Sequence, residues 1–285
     1  MRKERRLLYS IVFNASIVAA EVIGGILSRS VALFSDAVHN SGDVLSLVFS
    51  YVAAVVALRG EDENYTYGYK RAEVVAALVN SVFITILGFL ILFEALKKIV
   101  SPGVINPGIM LPVAIVGLLG NVLTILFLHG HHHDVNVRSA LVHIAADTIS
   151  SVFVVLLGIL LLFKPWYFLD GVFSVVVSVY MIAAGARVFK ESSAILMQVR
   201  PSSLSPSDVK RAVEGLEGVR DAHHIHLWTL DGREVYCELH AAVEDPCRAD
   251  EMIAAIKEKL HEMGVSHATV QIEGNVYDEE HGDGF

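Results

Sequence analysis

Two pairs of ionisable residues stand in stretches that are otherwise too apolar to hold them. "VHNSGD" places His39 and Asp43 four residues apart, and "LVHIAADTIS" places His143 and Asp147 four apart. Residues i and i+4 share one face of a helix, so each pair presents an imidazole and a carboxylate together. Two imidazole nitrogens and two carboxylate oxygens make a tetrahedral shell of the kind Zn2+ accepts. Each aspartate at the centre of a membrane helix costs about 2.5–3.5 kcal/mol on insertion scales, so the four groups need an ion or protons to neutralise them. The competing reading is a hydrogen-bond cluster that only staples helices together. Two identical H-x-x-x-D patterns at matching depth favour the metal.

That depth follows from the elements around the pairs. A spanning helix needs about 20 mostly apolar residues, because the hydrocarbon layer is about 30 Å thick. Six stretches qualify: Leu7–Leu27, Val31–Leu58, Val74–Leu96, Ile109–Leu128, Val137–Phe163 and Phe168–Val188. "LSRS", "VSPGVINPG" and "FKPW" supply breaks, the prolines ending helices. The second span enters near residue 32, which puts Asp43 roughly 16 Å in; the fifth enters from the opposite side near residue 136, which puts Asp147 at a similar depth. Arg2, Lys3, Arg5, Arg6, Arg59, Lys70, Arg71, Arg138, Arg187 and Lys190 fall on one side, against Arg29, Lys97, Lys98 and Lys164 on the other. The excess marks the first side as cytoplasmic and puts both termini there. "MRKERR" is basic, but the apolar run after it lacks a small-residue cleavage site, so it reads as a span and not a removed leader.

Charge divides the chain. Residues 1–188 hold 12 acidic and 13 basic residues, residues 189–285 hold 19 and 9. The expected organisation is a six-helix transmembrane domain over 1–188 and a cytoplasmic domain over 189–285. An acidic soluble part suits cations and argues against nucleic acid, whose phosphates want Lys and Arg. Within it, "SPSDVKRAVEGLEGV" and "RADEMIAAIKEKLHEMG" read as helices. "DAHHIHLWTL" and "REVYCELHAAV" read as strands joined by "DG", and "SHATVQIEG" reads as a third strand. The order helix, two strands, helix, strand gives a small α+β sandwich, with "NVYDEEHGDGF" frayed after it. Cys237 and Cys247 have no metal-ligand spacing and, in a cytoplasmic setting, stay reduced. Asn14, Glu21, Asp36, Asn40, Asn80 and Asn121 dot the first four spans. Each alone is the sort of residue that glues helices; Glu21 and Asp36 are candidates for support of the quartet or for a proton path.

The pieces "ALFSDAVHNSGD", "YTYGYKRAEVVAALVN", "HIAADTISS", "AHHIHLWTL" and "HATVQIE" resemble the cation diffusion facilitator family, in its zinc-transporter branch, over essentially the whole chain. The resemblance implies a six-span bundle followed by a ferredoxin-like cytoplasmic domain. It implies a homodimer that exports divalent metal against protons; the short loops and the absence of a targeting sequence make the plasma (inner) membrane of a bacterium or archaeon the expected address. The resemblance carries the transport ligands onto His39, Asp43, His143 and Asp147, and a histidine in the second-span pair goes with a preference for Zn2+ over Cd2+. It also carries a regulatory zinc site of the tail onto His223, His240 and Glu273, with His224 and His226 close by. Relatives that bind metal in the loop after the second span use histidines where this chain has tyrosines, "EDENYTYGYKRAE", so no real site is expected at Asp62 or Glu63. Zinc transporters often carry a His-rich loop at the position of "HGHHHD", residues 129–134, which reads either as a loose capture site or as a solvated turn.

Rival classes are weaker. A membrane zinc protease needs an open coordination position and a general base, and no H-E-x-x-H occurs. A sensor has no use for four buried ionisable groups in its anchor, and a channel should not cage its ion. Zn2+ leads the metals, with Co2+, Cd2+, Ni2+ and Fe2+ behind it, because such ligand sets accept several first-row ions.

Overall fold

The computed structural model describes the backbone of residues 2–128 and 135–274, with side chains for 15–46, 48–125, 145 and 147–274. Six long helices come first: α1 (Arg2–Ser28), α2 (Val31–Ala57), α3 (Ala72–Val100), α4 (Pro107–Leu128), α5 (Val135–Phe163) and α6 (Phe168–Leu196). Then follow α7 (Pro206–Glu214), β1 (Val219–Thr229), β2 (Val235–Val243), a 3-10 turn at Pro246–Arg248, α8 (Ala249–Glu262) and β3 (His267–Glu273). Two compact units result, one of Met1–Val52 with Ala77–Phe189, the other of Ala53–Ala76 with Lys190–Phe285.

In the first unit, α2, α3, α6 and the stretch Pro107–Ile125 of α4 are long and apolar enough to cross a bilayer. The described parts of α1 and α5, Ala15–Ser28 and Asp147–Phe163, are shorter apolar helices. Among the described residues four candidate spans are therefore observed, where the whole sequence leads one to expect six. Ile86, Phe89, Leu90 and Phe93 of α3 and Val176 and Tyr180 of α6 are exposed, a load of apolar surface that soluble proteins avoid and lipid accepts. α6 runs on to Leu196, past the expected end at Val188, and no proline or glycine follows Val188 until Pro201.

α2 is the central element. Ala32 and Leu33 pack with Met110 and Ala114 of α4 and Val154 and Leu157 of α5. One turn along, Val38 packs with Ile91 of α3 and Val177 and Met181 of α6. α3 and α6 meet backbone to backbone: a Cβ added at Gly171 would lie 2.7 Å from the Ala95 carbonyl oxygen, the close approach small residues permit between membrane helices.

In the second unit the strand order is β1-β2-β3, with β1 antiparallel to β2 and β2 parallel to β3. A parallel pair needs a crossover connection, and α8 supplies it. Ser205 caps α7 by accepting from the Asp208 amide, with Pro206 in the first turn. Gly232, at φ +84°, makes the turn between β1 and β2, as "DG" predicts. One core takes Val209 and Val213 from α7, Leu227 from β1, Leu239 from β2 and Ile256 and Leu260 from α8. In β1, Ala222, Ile225 and Leu227 all enter this core, which strict alternation forbids. The register slips between His223 and His226, and His224 sits at φ +51°. This bulge absorbs the extra residue.

Candidate metal centres

α2 carries His39 and Asp43 one turn apart, and α5 carries Asp147. The structure brings these three together: one ligand atom from each lies within 4.8 Å of the others. His39 Nε2 is 3.3 Å from Asp147 Oδ1, and the two side chains are only 16% and 11% exposed. Tyr180 of α6 meets the His39 ring edge-on, centroids 5.9 Å apart. His143 lies on α5, one turn before Asp147, but its side chain falls outside the described residues, as does that of Asn14. The "HGHHHD" loop and "NVYDEEHGDGF" also lie outside them.

Polar side chains fix α2 against its neighbours around this cluster. Ser150 and Ser151 of α5 donate to the two oxygens of Asp36 at 2.6 and 3.1 Å, and Asn121 of α4 donates to Ser151. Asn40 donates to Glu21 of α1, and Asn80 of α3 to Ser46. Glu21 and Asp36 are 1% and 2% exposed. Asp36 stands three residues before His39 and Ser150 three after Asp147. The Asp36 bond thus lies about one turn along an antiparallel helix pair from the His39–Asp147 contact. Asp36 therefore braces the site; it is not among the three that converge.

The second cluster is built by strands. His223 of β1 pairs directly with His240 of β2, and β3 lies alongside β2 with Glu273 opposite Ala242. One Glu273 oxygen lies 2.7 Å from His240 Nδ1 and the other 3.1 Å from His223 Nε2. These three again offer ligand atoms within 4.8 Å of one another. The His223 Nδ1 faces Asp221 at 2.8 Å, and Lys210 of α7 donates to that same Asp221 at 3.0 Å. Burial pushes the Asp221 carboxyl up, but the bonds from Lys210 and His223 outweigh it and hold the group below the usual carboxylate range. The bulge turns His224 onto the same side, its ring 4.8 Å from that of His240 and 4.5 Å from that of His226.

At the loop between α2 and α3 the oxygens of Asp62 are already engaged. Oδ1 accepts from the amides of Asn64 and Tyr65 and Oδ2 from the Tyr69 hydroxyl. The Tyr65 amide is the main cause holding this carboxyl below its ordinary range. Lys70 in this loop donates to Glu234 at 2.6 Å, and the Tyr236 hydroxyl donates to the same carboxylate. The Lys70–Glu234 link was not legible beforehand, since its partners stand 164 residues apart. Nor was the role of Tyr180, which in sequence is one aromatic among many apolar residues of the sixth span.

A helical unit with a His/Asp cluster that is half-buried at His39 and Asp43 and buried at Asp147, and an α+β unit with a His/Glu cluster, together define a membrane protein equipped to handle metal ions. Comparison with known proteins makes the assignment specific. The model of the cation efflux transmembrane domain matches residues 7–197, and that of the cation efflux protein cytoplasmic domain matches residues 201–275. The chain is 32% identical to the cadmium, cobalt and zinc/H(+)-K(+) antiporter of Bacillus subtilis, over 94% of this chain and 88% of that protein. It is 34% identical to the zinc transporter ZitB of Pectobacterium atrosepticum, over 97% and 88%, and 32% identical to ZitB of Escherichia coli, over 94% and 87%. The chain therefore belongs to the cation efflux family, the zinc-transporter branch of the cation diffusion facilitators. It is a multi-pass membrane protein whose relatives are transporters and not enzymes.

Proposed function

We propose that this protein exports Zn2+ from the cytoplasm in exchange for protons, by alternating access through a site made of His39, Asp43, His143 and Asp147. The observation that carries the reading is the convergence of His39, Asp43 and Asp147 inside the helical unit. Zinc takes neutral imidazoles and ionised carboxylates, so loading the site releases protons and protonating it releases zinc. Facing the cytoplasm, the ligands lose protons and take the ion. The helices then rearrange, protons arrive from the other side, and the ion leaves. The metals named for the Bacillus subtilis relative, cadmium and cobalt beside zinc, are the expected secondary substrates.

This reading takes all six helices α1–α6 as spans, with both termini cytoplasmic, in the plasma membrane. It divides the chain into a transport domain over 1–188 and a ferredoxin-like cytoplasmic domain over 189–285, which pairs two copies into a homodimer. The name of the matching cytoplasmic model's family, a cation efflux protein domain, and the αββαβ order support it. In that domain His223, His240 and Glu273 would hold a regulatory zinc: two imidazoles and a carboxylate within reach of one atom fit that ion. The test is zinc flux into proteoliposomes under an imposed pH gradient. Uptake that ignores the gradient, or normal flux by Asp147→Ala, contradicts the proposal.

A further inference from the structure

The two-residue connection between α1 and α2 is gripped from α3, from α6 and from the residue just before α4. Arg29, at φ +59°, lets the chain reverse. Lys98 of α3 donates to the Arg29 carbonyl at 2.6 Å, and the Asn106 amide, just before α4, donates to the Ser28 carbonyl at 2.9 Å. The third grip is from α6. The carboxylate of Asp170, fully buried, accepts from the Ser30 hydroxyl at 2.6 Å, from the Val31 amide at 2.7 Å and from the Ala32 amide at 3.2 Å.

The first amides of a helix have no partner within it, and a residue just before the helix ordinarily caps them. Here Ser30 takes only the Leu33 amide through its hydroxyl and the Phe34 amide through its carbonyl. The first two are satisfied by a side chain 138 and 139 residues away in sequence. A buried amide left without a partner is costly, and α2 cannot slide or turn without breaking these bonds. Eight residues further along α2 from Val31, His39 meets Tyr180, ten residues along α6 from Asp170. The two helices therefore run side by side in one direction, about 12–15 Å between the contacts. A slip of one residue moves a helix by about 1.5 Å and turns it by about 100°, which takes His39 and Asp43 off the face that meets Asp147.

We infer that Asp170 is a positioning residue for metal transport: its carboxylate, capping α2 from α6, sets the axial register in which α2 presents His39 and Asp43. The role rests on the site reading above. It predicts that Asp170→Ser raises the half-saturating Zn2+ concentration for flux about tenfold, as loss of a residue supporting metal ligands does, with a smaller change in maximal rate. Because the function is a carboxylate at one place, moving it back by the double exchange Ser30→Asp with Asp170→Ser restores the cap and the affinity.

The experiment measures flux against zinc concentration in proteoliposomes, and thermal melting in detergent, for wild type, Asp170→Ser, the double exchange and an Asp147→Ala control. Lost affinity in the single variant, regained in the exchange, is the expected result. If the single variant does not fold, recovery of folding and affinity by the exchange supports the same role. Unchanged affinity in Asp170→Ser overturns it, as does an exchange protein that folds without regaining affinity or that stays unfolded. Normal flux by Asp147→Ala sinks the site reading instead, while the melting of the exchange protein still decides the anchor.

Discussion

His39, Asp43 and Asp147 are presented by helices, His223, His240 and Glu273 by neighbouring strands, and the two clusters differ in how open they are. The helix-borne contact is 16% and 11% exposed; the strand-borne side chains are 22–30% exposed. A half-open site exchanges its ion with the surrounding water as the protein stands. A buried one releases its ion only when the helices around it move. The first behaviour suits a sensor of metal concentration and the second a carrier, which is why the proposal gives the carrier role to the cluster on α2 and α5.

The largest expected effect breaks the buried cluster. Asp43→Ala should lower zinc flux by more than about 100-fold, since even the supporting partners of metal ligands are worth about 10–100-fold; a residual rate above that level would mean the site tolerates three ligands. Next is the brace. Ser150→Ala with Ser151→Ala removes two donors from the buried Asp36 and should destabilise the protein by about 1–3 kcal/mol, read as a lower melting temperature in detergent. Against these, His223→Ala with His240→Ala should shift the rate or the half-saturating zinc only a few-fold, roughly one kcal/mol or less in coupling terms, and leave flux intact. Complete loss of transport in a folded double variant would erase the distinction between the regions. The smallest effect is expected at the cysteines. Cys247 is exposed, while burial pushes the Cys237 thiol up to about 12, so almost none of it is thiolate near neutral pH. Cys247→Ser should leave flux and metal binding unchanged and abolish labelling of the folded protein by thiol reagents.

The contrast also explains what the sequence could convey. The helix-borne pair is local: four residues put His39 over Asp43 whatever the rest of the chain does, and the apolar run around it announces its burial. The strand-borne trio is not local. It depends on His223 facing His240 across β1 and β2 and on Glu273 arriving by the crossover through α8. Only family resemblance pointed there. The bulge at His224 was hidden as well, because "AHHIHLW" alternates poorly without saying where the extra residue goes. Helix ends were blurred for a similar reason: apolarity stops at the membrane, but a helix does not, so α6 outruns its expected span. Asp170 went unremarked because its partners are backbone amides of a distant helix, which leave no mark in composition or spacing.

The most direct test counts bound zinc and measures flux on the same preparations. In one protein Asp43 and Asp147 are replaced by alanine, and in the other His223 and His240 are replaced. The account predicts that the first still binds zinc at the cytoplasmic domain but carries none across the bilayer, while the second loses that binding and still transports. Transport at the normal rate by the protein lacking Asp43 and Asp147 would contradict it.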